Sequence, residues 1–262
     1  MSYTVTKYPQ GTFSWADFFS KDIAASKAFL TALFGWTSED MPTTLGKPDY
    51  TMFSLDGHYV AGGSPAFDPN MPSFWNNYIS VDNVDEMVAK AESLGAKITM
   101  PAMDVLDSGR MSTIQDPIGA HVSLWQPKKH IGAGIVNTPG AMTWNELYTP
   151  DLETAKKFYT DLFGWTYDID EKNDGYTTIM NRGRMNGGMM QITEEMMGMP
   201  PSWAVYFTVK DMDTAVAKVK ELGGQVHMQK DVTVGKIAMI ADPAGASFML
   251  IQMSMTPQEW TE

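Results

Sequence analysis

Two short stretches of this 262-residue chain set an indole, a carboxylate and a second aromatic ring at alternate positions: Trp15-x-Asp17-x-Phe19 and Trp144-x-Glu146-x-Tyr148. Alternate residues of a strand face the same way, so each stretch holds its carboxylate beside an indole. An apolar neighbour raises a carboxylate's proton affinity, which suits it to general base work or to anchoring a ligand's polar group. Asp17 and Glu146 are therefore candidate catalytic groups; the alternative is a carboxylate satisfied by nearby backbone donors. His121 is a third candidate, sharing a strand face with Ser123 and Trp125, against the alternative of a hydrogen-bonded structural histidine. His58 and His227 fall on strands without a partner motif, and His130 lies in a glycine-rich connector. Arg182 and Arg184 flank Gly183 in a tight turn, where they either hold an anion or form a solvated hairpin tip.

Other chemistries are excluded by what the chain lacks. With no cysteine there is no disulfide, thiolate ligand or thiol nucleophile. No phosphate-binding glycine loop, His-Glu-x-x-His or Gly-x-Ser-x-Gly occurs. The sequence gives no reason to expect a cofactor. A formal net charge of −12 disfavours nucleic acid and anionic membrane as partners. No apolar run long enough to span a bilayer appears, and no basic-then-apolar start, so a cytoplasmic protein is expected, as monomer or homodimer. The 22 methionines suit irregular interiors or adaptable ligand walls.

The chain repeats itself. Leu33-Phe-Gly-Trp-Thr37 returns as Leu162-Phe-Gly-Trp-Thr166, and Asp116-Pro117-x-Gly119 as Asp242-Pro243-x-Gly245. Helical spacing in residues 22–34 ends at Gly35, a helix-stopping position, and strand-like runs follow at 50–55 and 58–62. The order recurs from Trp75, with a helix over 84–94. Strand, helix, then three strands thus occurs four times, an α+β architecture. The modules are expected at 1–128 and 143–262, joined by a Gly/Pro-rich linker at 129–142.

This fourfold βαβββ order, carried by Asp22 to Trp36, its copy Asp151 to Trp165, and the two Asp-Pro-x-Gly turns, resembles the vicinal oxygen chelate superfamily of glyoxalase I, bleomycin resistance proteins and extradiol dioxygenases. The resemblance implies four βαβββ units in two tandem glyoxalase-like modules, each with a curved mixed sheet around a cleft. It also implies metal ligands on the first strand of each half, seven residues before the Asp that precedes the helix. Counting from Asp22, Asp82, Asp151 and the aligned Lys210 gives Trp15, Trp75, Trp144 and Trp203. The other implied ligand position, six residues after each turn's proline, holds Ser123 or Met249. An indole offers a metal no lone pair, so no metal is expected.

Four tryptophans at equivalent positions admit two readings: a core residue copied by duplication, or flat apolar walls for a planar ligand. Trp36 and Trp165 read as core, and Trp260 falls in the tail. The expected ligand-binding set is Trp15, Asp17, Phe19, Trp75, His121, Ser123, Trp144, Glu146, Tyr148 and Trp203. The expected function is metal-independent binding of a small planar or aromatic molecule. Its alternatives are a glyoxalase-like lyase, isomerase or hydroxylase-like enzyme using Asp17 or Glu146, and a structural protein with filled clefts.

Overall fold

A computed structural model describes residues 3–42, 48–68, 70–170, 175–196 and 198–254. After a short β1 (Tyr3–Thr4), the first module runs β2 (Phe13–Ser20), α1 (Ile23–Phe34), β3 (Thr37–Pro42), β4 (Pro48–Leu55), β5 (His58–Pro65), β6 (Phe74–Ser80), α2 (Val84–Ser93), β7 (Lys97–Val105), β8 (Gly109–Gln115) and β9 (His121–Pro127). The connector carries β10 (Ile135–Val136). The second module repeats the order as β11 (Met142–Thr149), α3 (Leu152–Phe163), β12 (Thr166–Asp170), β13 (Tyr176–Asn181), β14 (Arg184–Gln191), β15 (Ser202–Thr208), α4 (Met212–Glu221), β16 (Gln225–Val232), β17 (Gly235–Ala241) and β18 (Ser247–Met253).

Each module forms one eight-stranded mixed sheet, β3-β4-β5-β2-β6-β9-β8-β7 and β12-β13-β14-β11-β15-β18-β17-β16. The two halves of a module meet at its centre, β2 against β6 and β11 against β15, both antiparallel. Local chemistry fixes the helix ends. Asp22 and Asp151 cap α1 and α3 by accepting from Ala25 N and Thr154 N, and Gly35 and Gly164 close them with φ +73° and +76°. The caps of α2 and α4 are Asn83 and Asp211, each one residue beyond Asp82 and Lys210.

That single residue changes which side chains share a face. Across the centre of the first sheet Asp17 pairs with Asn76 and Phe18 with Trp75; across the second, Glu146 pairs with Ala204 and Leu147 with Trp203. Side chains alternate along a strand, so Trp75 and Trp203 point away from the face that carries Asp17 and Glu146. They point inward, between the modules. Trp75 packs on Phe18 at 5.1 Å and, across the boundary, on Phe207 at 5.1 Å and Phe248 at 5.5 Å. Trp203 meets Phe13 at 4.8 Å and donates Nε1–H to Tyr159 Oη. Counting seven back from the true caps gives Asn76 and Ala204 rather than Trp75 and Trp203.

The inner faces therefore build shared cores. One joins α1 and Trp75 to α4, Phe207 and Phe248; the other joins α2 to α3, Trp165 and Trp203. Polar groups cross the boundary too: Asn145 Nδ2 donates to Asn77 Oδ1 at 2.7 Å, and Tyr159 Oη to Asp116 Oδ2 at 3.0 Å. Trp36 and Trp165 are core, and each indole N–H also ties a distant segment, to Gly140 O and Gly11 O. Within the connector Ala133, Ile135 and Ala141 are buried, and β10 pairs with β1. No helix among the described residues is long and apolar enough to cross a membrane.

Candidate functional site

On the outer face of the first sheet Asp17 sits at mid-strand, between Asn76 on β6 and Gly62 on β5. Its Oδ2 accepts from Tyr78 Oη at 2.9 Å and Tyr50 Oη at 3.2 Å, and its Oδ1 from Asn76 Nδ2 at 3.3 Å. Trp15 Nε1 donates to Tyr50 Oη at 2.9 Å, completing a chain from indole to phenol to carboxylate. Asn76 in turn meets Ser123, whose hydroxyl lies 2.8 Å from Thr113 Oγ1. Asp17 is 2% exposed, and that burial raises its pKa to about 6 against the pull of the donated hydrogen bonds.

The second module builds the same chain with a longer acid. Tyr176 Oη donates to Glu146 Oε1 at 2.6 Å, Tyr206 Oη donates to Oε2, and Trp144 Nε1 donates to Tyr176 Oη at 3.0 Å. Tyr148 adds a third phenol, its Oη 3.2 Å from that of Tyr206. Burial, and then the Glu146 charge, push the pKa values of all three phenols up, so they remain protonated donors. A glycine makes room for the phenol in each module. A Cβ on Gly62 would stand 2.0 Å from Tyr50 Oη, and one on Gly188 1.9 Å from Tyr176 Oη. Gly188→Ala therefore expels the Tyr176 hydroxyl from Glu146 and costs about 1–3 kcal/mol of stability, as overpacking does. Urea denaturation checks this, and unchanged stability would contradict the packing.

The modules differ in what lies over the indole. In the first, the connector closes the position: Ala133 N donates to Ser14 O, Gly134 N to Tyr59 O, and Tyr8 Oη to Ala133 O. Gly132 passes so close that a Cβ would stand 2.2 Å from Ser14 O, at a φ of +111°. The His130 ring stands 4.6 Å from Trp15 and 5.7 Å from Trp125, where burial lowers its pKa to about 4. The second-module counterparts of Ser14 and Tyr59 are Thr143 and Met185. There a cavity of about 580 Å³ opens instead, with Trp144, Thr143, Met185 and the segment 3–9 among its walls.

A sequence model of the Glyoxalase/Bleomycin resistance protein/Dioxygenase superfamily matches residues 12–124 and again 140–250. The chain belongs to this superfamily. Among relatives of the glyoxalase superfamily, a Mycobacterium tuberculosis protein named "Putative glyoxylase CFP32" is 41% identical over 94% of this chain and 97% of its own length. The anthracycline biosynthesis protein DnrV of Streptomyces peucetius is 33% identical over 95% of this chain and 96% of its own. Two solved structures share the superfamily fold at 15% identity. The Mn(II)-bound glyoxalase of Novosphingobium aromaticivorans has a TM-score of 0.64 over 98% of this chain and 86% of its own. The 2,3-dioxygenase LapB of Pseudomonas sp. KL28 has 0.65 over 97% and 96%.

The donor set here does not suit the divalent ion that the resemblance implies. Zinc, iron and manganese sites gather several imidazole, carboxylate or thiolate donors. Around Asp17 stand an indole, two protonated phenols and an amide; around Glu146, an indole and three phenols. Among the described residues no three His, Asp or Glu cluster closely enough to hold an ion.

Of the residues singled out by sequence, Trp15, Asp17 and Ser123 come together in the first centre, and Trp144, Glu146 and Tyr148 in the second. Phe19 lies on the same face but packs with Phe74 and Phe67. His121 is exposed at the start of β9, opposite Gln115 and away from the Asp17 hydrogen bonds. Trp75 and Trp203 belong to the inner cores, and Trp260 lies outside the described residues. The sequence reading included Tyr148 but missed the phenols of Tyr50, Tyr78, Tyr176 and Tyr206, and it missed the place of His130. The phenols had a signal, because Tyr50 and Tyr78 recur as Tyr176 and Tyr206 when the repeats are superposed. His130 had none, since nothing local says that a connector will cover an indole.

Proposed function

We propose that the protein binds a small planar, partly apolar molecule bearing a phenolic, enolic or carbonyl oxygen, without a metal, at the second module's centre. The observation that carries this is the Trp144–Tyr176–Glu146–Tyr206 chain, which ends at an indole on the wall of the cavity. A flat ring stacks well on an indole. The chain of neutral phenols and carboxylate behind it holds the indole through its Nε1–H, and the cavity wall offers Thr143, Asn145 and Asn186 to an oxygen of the ligand. At about 580 Å³ the cavity has the size of a small-molecule site. Anthracyclines, named in the Streptomyces relative, are planar oxygenated aromatics, which this wall fits. The first module, closed by its connector, serves as the supporting copy. We place the protein in the cytoplasm with the small molecule as its partner, since the acidic surface repels phosphate backbones.

Fluorescence titration of chelator-treated protein with 2-naphthol tests this. Saturable quenching is expected, weakened at least tenfold in Trp144→Phe and in Glu146→Gln but unchanged in Trp15→Phe. No saturable response, or equal loss from Trp15→Phe, would overturn the assignment.

A second reading has one observation in its favour. A carboxylate with a pKa of about 6, as Asp17 has, can take and return a proton near neutrality, as a metal-free isomerase or lyase needs. Turnover of the methylglyoxal–glutathione adduct by chelator-treated protein, lost in Asp17→Asn, would support it.

A further inference from the structure

Among the described residues, the cavity beside Trp144 is lined by three cations, Lys7, Arg182 and Arg184, and by no aspartate or glutamate. That is unusual in a chain with 31 acidic against 19 basic residues. The chain has three arginines, and two of them are here. The third, Arg110, lies on the first module beside Asp85 and Asp104.

The duplication supplies its own control. Arg182 and Arg184 sit on the hairpin between β13 and β14, whose first-module counterpart between β4 and β5 carries Asp56 and His58. Both hairpins use the same two-residue turn, with φ of +50° and +80° at Asp56-Gly57 and +52° and +79° at Arg182-Gly183. Left-handed backbone at the first turn position suits Asn, Asp or Gly, and a long cationic side chain gains nothing there from the backbone. The second hairpin thus exchanges an acid favoured by the turn for a base that the turn does not favour. In the first module the corresponding space is filled, with Gly134 against His58. The charge reversal coincides with the space being open.

We infer that this cavity selects a planar molecule carrying a carboxylate or comparable anionic group, paired with Arg182 and Arg184 while its ring lies against Trp144 and Phe13. A guanidinium presents paired N–H donors that match a carboxylate's two oxygens. This inference rests on the reading of the second centre as a planar-ligand site and adds the sign of the ligand's charge.

The test is isothermal titration of the full chain with 2-naphthoate, its neutral isostere 2-naphthamide, and 2-naphthol. The variant is the double substitution Arg182→Asp/Arg184→His, which gives the hairpin the residues that its counterpart already folds with. The expected result is 2-naphthoate binding at least tenfold tighter than the amide, weakening with added salt. In the variant that advantage disappears while 2-naphthol binds as before. Equal affinity for acid and amide, or naphthoate binding untouched in the variant, would overturn the inference and leave the planar-ligand reading standing if 2-naphthol still saturates. Failure of all three compounds to bind would overturn both.

Discussion

Asp17→Asn is expected to make the protein more stable at pH 7, by about 2 kcal/mol. In the folded chain the Asp17 pKa stands at about 6, raised from an ordinary 3.8 by burial. That gap makes the buried ionised form cost about 3 kcal/mol at neutral pH. An amide avoids the charge but returns about 1 kcal/mol through less complete pairing with Tyr78, Tyr50 and Asn76. The sign follows from proton linkage. Between pH 4 and 6 the folded chain holds a proton that the unfolded chain has released, so the native protein loses stability as pH rises through that interval. The advantage of Asp17→Asn is therefore absent below about pH 4, grows to about pH 6 and stays constant above it. His130 works oppositely, because its pKa of about 4 means that acidification below 6.5 favours the unfolded chain. It is present in both proteins, so it cancels from the difference. Urea unfolding of both proteins from pH 3 to 8 measures the difference. A constant difference across that range, or destabilisation at pH 7, would refute the buried-charge account. A group kept at such a cost in stability is one of the marks of a functional centre.

The second large effect concerns the shared core. Trp75→Ala is expected to cost about 4 kcal/mol, the range for truncating a buried large aromatic. The indole is 7% exposed and packs on Phe18 of its own module and on Phe207 and Phe248 of the other. Removing it opens a hole between the modules rather than within one. Calorimetry should accordingly show one unfolding transition in wild type and variant, shifted as a whole. Two separate transitions, with only the first-module transition displaced, would show that the modules are independent units.

How much of this could be read in advance depended on how local each feature was. The α+β order and the two modules were legible because Leu33 to Thr37 and the Asp-Pro-x-Gly turns repeat in place, and helix stops such as Gly35 act on their own neighbours. The pairing of Trp15 with Asp17, and of Trp144 with Glu146, followed from the two-residue period of a strand. The same period misplaced Trp75 and Trp203. The repeat puts Asp82 and Lys210 ahead of the helices, but Asn83 and Asp211 cap them, and one residue of slip turns a side chain to the opposite face. The phenol partners of Asp17 lie 33 and 61 positions away in sequence, so only the sheet register brings them to it. The closing of the first cleft was beyond local reading, because it depends on Gly132 crossing Ser14 at contact distance.

The most direct test of the central claim is calorimetric titration of 2-naphthol into protein stripped of metal with EDTA, repeated after adding zinc, nickel or manganese. The account predicts one saturable site per chain, with an affinity that none of these ions changes. Binding that appears only once an ion has been restored would contradict it.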